Sequence, residues 1–170
     1  RKKHTRKQWV YMKWFWQSEP CPLCMVAMEG APQPYGICGA TVLIGKLPVT
    51  FAQWKDTRKW AASNGYDIGN FGSGKANDHP VNLITWFDAI KWCNARSEQE
   101  GLVPVYTIEK AVYRRSMGCS DVTFNPSANG YRLPSQDEWD FAARGGLKSK
   151  NYMFSGGDDL DEVGWYCDNS

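Results

Sequence analysis

The chain has 170 residues, and its 42% hydrophobic and 14% aromatic content excludes a disordered polypeptide and allows one domain with a real core. Its 16 glycines and nine prolines predict a backbone rich in turns. The net charge of +2 is unevenly distributed, because six basic residues fall within residues 1–17, and no run approaches the roughly 20 apolar residues of a membrane span.

The first 40 residues differ in character from the rest of the chain. Their basic start is followed by "WVYMKWFW" (9–16), a pattern that raises a signal-peptide or a nucleic-acid interpretation. Lys13 interrupts an apolar stretch that is already too short for a secretory core, so we favour a tail and expect no nucleic-acid partner. We therefore predict an atypical basic and aromatic segment over residues 1–40 and a domain over residues 41–170.

The cysteines do not follow the spacing of a small disulfide scaffold. Cys21 and Cys24 form a C-x-x-C pair, but only Cys38 and His4 lie nearby as further ligands. A zinc finger needs a second pair at finger spacing, so we favour free thiols or an incidental pair over zinc. The redox state of the six cysteines stays open; they are Cys21, Cys24, Cys38, Cys93, Cys119 and Cys167.

Residues 49–65 predict the first helix. Thr50 and Gln53 have the S/T-x-x-E/Q spacing of a capping box, in which each side chain accepts a hydrogen bond from the other residue's backbone amide. Gly65 is a stop signal. The residues that we expect on the apolar side are Phe51, Trp54 and Ala61.

Residues 85–101 predict the second helix, with the same kind of beginning and end. Thr85 is the cap, Asp88 stands at the reciprocal position, and Gly101 follows the last periodic residue. The side that we expect to be buried carries Ala89, Ile90 and Cys93.

Short strands and one long loop lie around these helices. Strand signals occur at residues 41–49, 103–108 and 121–125. Residues 64–80 hold four glycines and two aspartates and predict a long surface loop. Scattered strands and isolated helices indicate an α+β fold rather than alternating βαβ units.

The stretch "NGYRLPSQDEWDFAARGG" (129–146) predicts a third helix with complete end signals. Ser135 and Glu138 form the capping box, which also places acidic side chains at the positive end of the helix. Arg144 lies at the negative end, directly before Gly145.

Three motifs in chain order carry a resemblance to a known family. They are "LPVTFAQW" (47–54), "HPVNLITWFDAIKWCNARSEQEG" (79–101) and "GYRLPSQDEWDFAARGG" (130–146). Together they resemble the formylglycine-generating enzyme, or sulfatase-modifying factor, domain, and in particular its N-terminal part. The resemblance implies a loop-rich variant of the C-type lectin fold, with two to three short helices and small twisted sheets, present here as a fragment.

We assign the signature residues of this resemblance to scaffolding, and none to catalysis or cofactor binding. Arg132 is placed to reach a carboxylate of the following helix or of a neighbouring loop, so we favour a structural ion pair over a catalytic arginine. Trp139 and either Ala142 or Ala143 are expected to face the core. The signature residues are Arg132, Ser135, Glu138, Trp139, Arg144, Trp86 and Asp88.

The resemblance implies copper-dependent oxidation of a cysteine in a protein or peptide substrate to formylglycine. Two thiolates bind Cu(I) in that chemistry, and in the family they follow a G-N-[VA]-W-E-W motif that this sequence does not reach before Ser170. We transfer no copper role to Cys93, Cys119 or Cys167. Cys93 occupies a helical family position where a buried, inert thiol is expected.

The resemblance also implies structural calcium sites. In the matching stretch 161–170, Val163 and Gly164 precede Trp165 where the family has an asparagine ligand. Carboxylates suit calcium chemically, but we interpret these acids as solvated loop residues. They are Asp158, Asp159, Asp161, Glu162 and Asp168, with Asn169 beside them.

Two functions from different classes follow. The first is a sulfatase-modifying-factor-like domain that is inactive in isolation because the copper-binding half is absent. The second is a non-catalytic C-type-lectin-like binding module, favoured by the glycine-rich loop 64–80. The sequence leaves the ligand, the oligomeric state and the cellular compartment open.

Overall fold

The computed structural model describes residues 12–14, 25–28, 42–116 and 121–164. This part of the chain is α+β, as expected, with short strands and few helices. The elements in chain order are β1 (Met12–Trp14), β2 (Met25–Met28), β3 (Val42–Gly45), α1 (Phe51–Ser63), α2 (Trp86–Gln99), β4 (Tyr106–Ile108), β5 (Ala111–Val112), β6 (Thr123–Phe124), β7 (Tyr131–Arg132), α3 (Gln136–Ala143) and α4 (Leu160–Val163).

The described strands form two antiparallel sheets. One has the order β2-β3-β1-β7 and the other the order β5-β4-β6. Met12 of β1 lies opposite Ile44 of β3 on one side and Arg132 of β7 on the other. Strand β1 falls within the segment that we interpreted as a tail, so that interpretation is wrong for Met12–Trp14. The domain boundary at residue 40 stays a prediction.

Each of the three expected strands is present but shorter than its sequence signal. The signal at residues 103–108 yields only Tyr106–Ile108. Pro104 has no amide hydrogen to donate to a ladder, which explains why regular pairing begins after it. The signals at 41–49 and 121–125 similarly yield Val42–Gly45 and Thr123–Phe124.

The predicted helix caps are present. The Thr50 amide donates to Gln53 Oε1 at 2.9 Å, and the Gln53 amide donates to Thr50 Oγ1 at 3.3 Å. Gly65 follows the end of α1 with φ at +82°, a backbone conformation that favours glycine. At α2 the Asp88 amide donates to Thr85 Oγ1 at 3.1 Å, but the Asp88 carboxylate accepts from the Thr85 hydroxyl rather than from the Thr85 backbone amide.

The main core lies between α1 and α2. The rings of Trp54 and Trp92 are stacked, with centroids 5.9 Å apart and planes 8° apart, and Trp92 Nε1 donates to the Trp54 carbonyl. Asn94, fully buried, attaches α2 to the second sheet. Its side chain donates to the carbonyls of Tyr106 and Tyr113 and accepts from the Tyr106 amide. The two helices and the second sheet therefore form one packed unit.

The prediction that Trp139 faces the core is wrong, because its side chain is 37% exposed. A helix turns about 100° per residue. Glu138 is fully buried, so Ala142, one turn later, lies on the same side and packs against Met28 and Val42, as expected. Trp139 is thereby left at the edge of the buried side.

Candidate binding surface

Arg132 and Glu138 form the buried ion pair that the sequence predicted. Arg132 Nη1 and Nη2 donate to the two carboxylate oxygens of Glu138 at 2.7 and 2.6 Å, and neither side chain is more than 1% exposed. Glu138 Oε2 also accepts from the Ser135 amide at 2.8 Å, while the Glu138 amide donates to Ser135 Oγ. One carboxylate therefore joins β7 to α3 and closes the cap, in a bidentate geometry that strengthens both hydrogen bonds.

Trp86, the first residue of α2, is connected to this ion pair through aromatic contacts. Its ring packs edge-on against Tyr106 with centroids 6.4 Å apart, and Tyr106 packs in the same way against Phe124. The Arg132 guanidinium lies 5.9 Å from the Phe124 ring centroid, and the Leu133 amide donates to the Tyr106 hydroxyl at 2.9 Å. The structure thus links two distant sequence motifs through residues that the sequence analysis did not single out.

Asp88 anchors the glycine-rich loop, which we define as residues 64–80. Its Oδ1 accepts from the Gly69 amide at 3.4 Å and lies 3.3 Å from Lys91 Nζ. Lys91 in turn donates to Asp67 Oδ1 at 2.7 Å and to the Asp67 carbonyl at 2.8 Å, and its side chain is only 3% exposed. Our sequence analysis missed Lys91, although its position three residues after Asp88 on a helix was a usable signal.

An exposed apolar patch lies where the glycine-rich loop meets the start of α2. We call it the aromatic surface and define it as Phe71, Leu83, Trp86 and Phe87, whose exposed fractions are 62%, 79%, 43% and 49%. The Trp86 and Phe87 rings contact edge-on at 5.2 Å, and the Gly72 amide donates to the Leu83 carbonyl at 3.2 Å. Backbone pairing therefore holds the segments of Phe71 and Leu83 side by side.

The loop segment that carries Phe71 is fixed from below. The Phe71 carbonyl accepts from Trp54 Nε1 at 3.1 Å and from Arg58 Nη1 at 3.3 Å. Gly72 has φ at +104°, and a Cβ there would lie 2.5 Å from Trp54 Nε1. Only glycine allows this close approach, so the conformation of the loop is built on a core tryptophan.

Cys93 is the buried thiol that the resemblance predicted. It is 1% exposed, and burial raises its pKa well above the usual range, against a smaller opposing effect of Arg132. It lines an apolar cavity of about 20 Å³ together with residues such as Trp54 and Trp92, a volume suited to one water-sized molecule. Within the described ranges Cys93 is the sole cysteine, and a single buried thiol does not fit the pair of thiolates that the resemblance implies for Cu(I). The C-x-x-C prediction at Cys21 and Cys24 lies outside the described residues.

The acids near residue 160 contact local backbone amides. Asp158 Oδ1 accepts from the Met153 amide at 2.7 Å, and Asp159 caps α4 by accepting from the Asp161 amide at 2.9 Å. Across residues 42–116 and 121–164, no three ligating side chains are grouped as a metal site. Arg144, the remaining signature residue, is exposed and donates to the Tyr152 carbonyl at 3.0 Å.

The sequence matches the Sulfatase-modifying factor enzyme 1-like domain over residues 27–170. It is 43% identical over 134 residues to the Chaperone protein LppX of Paenibacillus barcinonensis, and the aligned region covers 75% of this chain and 44% of that protein. The chain thus spans less than half the length of this curated relative.

Two solved structures are similar to this fold. The crystal structure of CarF superposes with a TM-score of 0.59 at 33% identity, covering 65% of this chain and 49% of CarF. Treponema denticola variable protein 1 gives a TM-score of 0.53 at 24% identity, covering 95% of this chain and 62% of that protein; at this identity the likeness concerns the fold alone. Every helix in the described ranges is too short or too polar to cross a bilayer.

Proposed function

The chain belongs to the sulfatase-modifying factor family, and within that family we propose that it binds a polypeptide through the aromatic surface. The observation that carries this proposal is the exposure of four large apolar side chains on a loop and a helix start whose backbones are fixed. Phe71 and Leu83 are each more than half exposed. The Phe71 carbonyl is nevertheless held by a hydrogen bond from Trp54 Nε1, and the nearby Gly69 amide donates to Asp88.

Physical chemistry favours binding at such a place. Large apolar groups gain free energy when a partner removes them from water, and contiguous exposed patches of them mark interaction sites. Aromatic residues are enriched among the residues that dominate binding energy. Because the loop is already ordered, its backbone loses little conformational entropy when a partner binds.

The name of one relative supports a role in protein binding. That relative is named a chaperone protein, and a chaperone must contact another polypeptide. In the same proposal, residues 41–170 form the N-terminal part of a sulfatase-modifying-factor-type domain, and the details of the fold are those of a C-type lectin variant. The signature residues Arg132, Glu138 and Asp88 then act as scaffold for the surface, whereas Trp86 is part of it.

A second candidate function is oxidation of a substrate cysteine to formylglycine, which the family match favours. Copper would supply the oxidative chemistry in that case, but Cys93 does not fit as its ligand, so we derive no step through it. Incubation of the chain with a cysteine-containing sulfatase-motif peptide, copper and oxygen should yield no aldehyde. Detection of formylglycine by mass spectrometry would establish the oxidase function and contradict our assignment.

The binding proposal is tested by fluorescence anisotropy with the 170-residue chain. The probe is a labelled, uncharged peptide in which leucine and phenylalanine alternate with serine. We expect Leu83→Ser to weaken binding roughly fivefold to tenfold, as loss of about 1 to 1.4 kcal/mol requires.

Leu147→Ser is the matched control for this experiment. Leu147 is 72% exposed, close to the 79% of Leu83, but it lies after α3, outside the aromatic surface. Equal losses in the two variants, or no binding of the peptide to the unmodified chain, would contradict the proposal.

A further inference from the structure

We infer that the polypeptide bound at the aromatic surface carries acidic side chains beside its apolar ones. This inference rests on the proposed function and names the class of sequence that the surface recognises. It is argued from the charges that border the glycine-rich loop.

One border of the loop is lined by basic side chains of α1. Arg58 Nη1 reaches the carbonyl of Phe71, a residue of the aromatic surface, and Lys55 Nζ donates to Asn77 Oδ1 at 2.8 Å. Lys59 is exposed one turn after Lys55 on the same side of the helix. We call these three residues, together with the exposed Lys75 of the loop, the basic border.

Most acidic residues near the loop contact side chains other than those of the basic border. The Asp56 carboxylate contacts α2, where it lies 3.8 Å from Arg96 Nη1 and accepts from Gln99 Nε2. Asp67 and Asp88 both contact the buried ammonium group of Lys91. Of the acids on this part of the surface, Asp78 is the exposed one without such a contact among the described residues.

The basic border therefore carries positive charge that the described part of the chain does not neutralise. None of its four residues has a carboxylate within 4.0 Å among residues 42–116 and 121–164. Arg58 spends one Nη1 donor on the Phe71 carbonyl, and a guanidinium has five N–H donors. Its guanidinium contacts the backbone of Phe71, a residue of the aromatic surface, so a carboxylate of a chain bound there would be within reach of the remaining donors.

Charge at the rim of an apolar site acts mainly on selectivity and on the rate of encounter. A polypeptide with glutamate or aspartate next to its apolar residues is attracted, and one with lysine there is repelled. The preference must weaken as salt screens these exposed charges.

The test compares three labelled peptides that share one leucine- and phenylalanine-containing core and differ in flanking glutamate, serine or lysine. With the 170-residue chain at low salt, we expect affinity to fall in the order glutamate, serine, lysine. Arg58→Gln should lower the ratio of glutamate-peptide affinity to serine-peptide affinity roughly twofold to fivefold, as for one exposed ion pair. The ratio is the readout because Arg58 also supports the Phe71 backbone, and loss of that contact affects both peptides alike. Arg58→Lys should retain most of the preference.

Lys148→Gln is the control. It removes an exposed lysine after α3, outside the basic border, and should leave the preference for the glutamate peptide unchanged. Attraction by the basic residues 1–17 would be equal in all variants, so a glutamate preference that survives Arg58→Gln and Lys59→Gln overturns the inference. Equal binding of the three peptides also overturns it but leaves the proposed function intact, whereas absence of binding by all three refutes both. Stronger displacement of the glutamate peptide by short single-stranded DNA than by unlabelled peptide would assign the surface to nucleic acid and overturn the inference.

Discussion

The region around α3 and the glycine-rich loop distribute polar and apolar side chains in opposite ways. At α3 the charged pair Arg132 and Glu138 is buried, while Trp139 is more than a third exposed. In the loop the backbone is fixed by the core, while Phe71 is exposed, as is Leu83 shortly after the loop. A buried charge pair must be satisfied within the protein, whereas exposed apolar groups add little to its stability. This difference is why we assign the first region to architecture and propose the second for binding.

The largest expected effect breaks the buried pair. Arg132→Met should lower the free energy of unfolding by about 3 to 5 kcal/mol, because it leaves the Glu138 carboxylate buried without its cation. Urea unfolding followed by tryptophan fluorescence measures the loss. The same substitution at the exposed Arg144 is the control and should cost less than about 1 kcal/mol. Equal losses in the free energy of unfolding would show that burial does not determine how much each of these two arginines contributes to stability.

A smaller effect should come from the anchor of the loop. Lys91→Met removes the cation shared by Asp67 and Asp88, and because Asp67 is partly exposed we expect a loss of about 1 to 3 kcal/mol. Amide hydrogen exchange should also accelerate in residues 64–80. The matched change Lys59→Met, at an exposed position of α1, should alter neither quantity; unchanged exchange in Lys91→Met would mean that the loop is held by other contacts.

The smallest pair of effects lies within α3 itself. Ser135→Ala should cost about 1 kcal/mol through the lost cap. Trp139→Ala should cost about 1 to 2 kcal/mol, since a partly exposed indole leaves less of a cavity than the 3 to 5 kcal/mol of a buried one. Urea denaturation of both variants measures the free energy of unfolding. A loss above about 3 kcal/mol for Trp139→Ala would show that Trp139 is buried in the core after all.

The helix ends could be predicted because their signals are local. Thr50 with Gln53 and Ser135 with Glu138 contact each other within one turn, so three-residue spacing is enough to identify them. A structural ion pair of Arg132 was also predictable, although its carboxylate was expected from either the following helix or a neighbouring loop. These predictions depended only on residues close together in the sequence and not on the packing of the rest of the molecule.

The features that the sequence did not reveal depend on distant partners. The exposure of Trp139 follows from which side of α3 meets Met28 and Val42, and the burial of Lys91 follows from the position of Asp67, 24 residues earlier. The aromatic surface could not be predicted for the same reason. From the sequence alone, an apolar residue such as Leu83 is expected in the core, and only its packing shows that it is exposed. Composition alone assigns such residues to the interior.

The position of β1 also constrains how the chain is made. This strand lies between β3 and β7, and Met12 pairs with Arg132. During synthesis from the N-terminus, β1 therefore cannot pair with β7 until the ribosome has made the long segment that separates them in the sequence. Closure over so long a separation is slow, so we infer that completion of this sheet is a late event in folding, after α1 and α2 have already met.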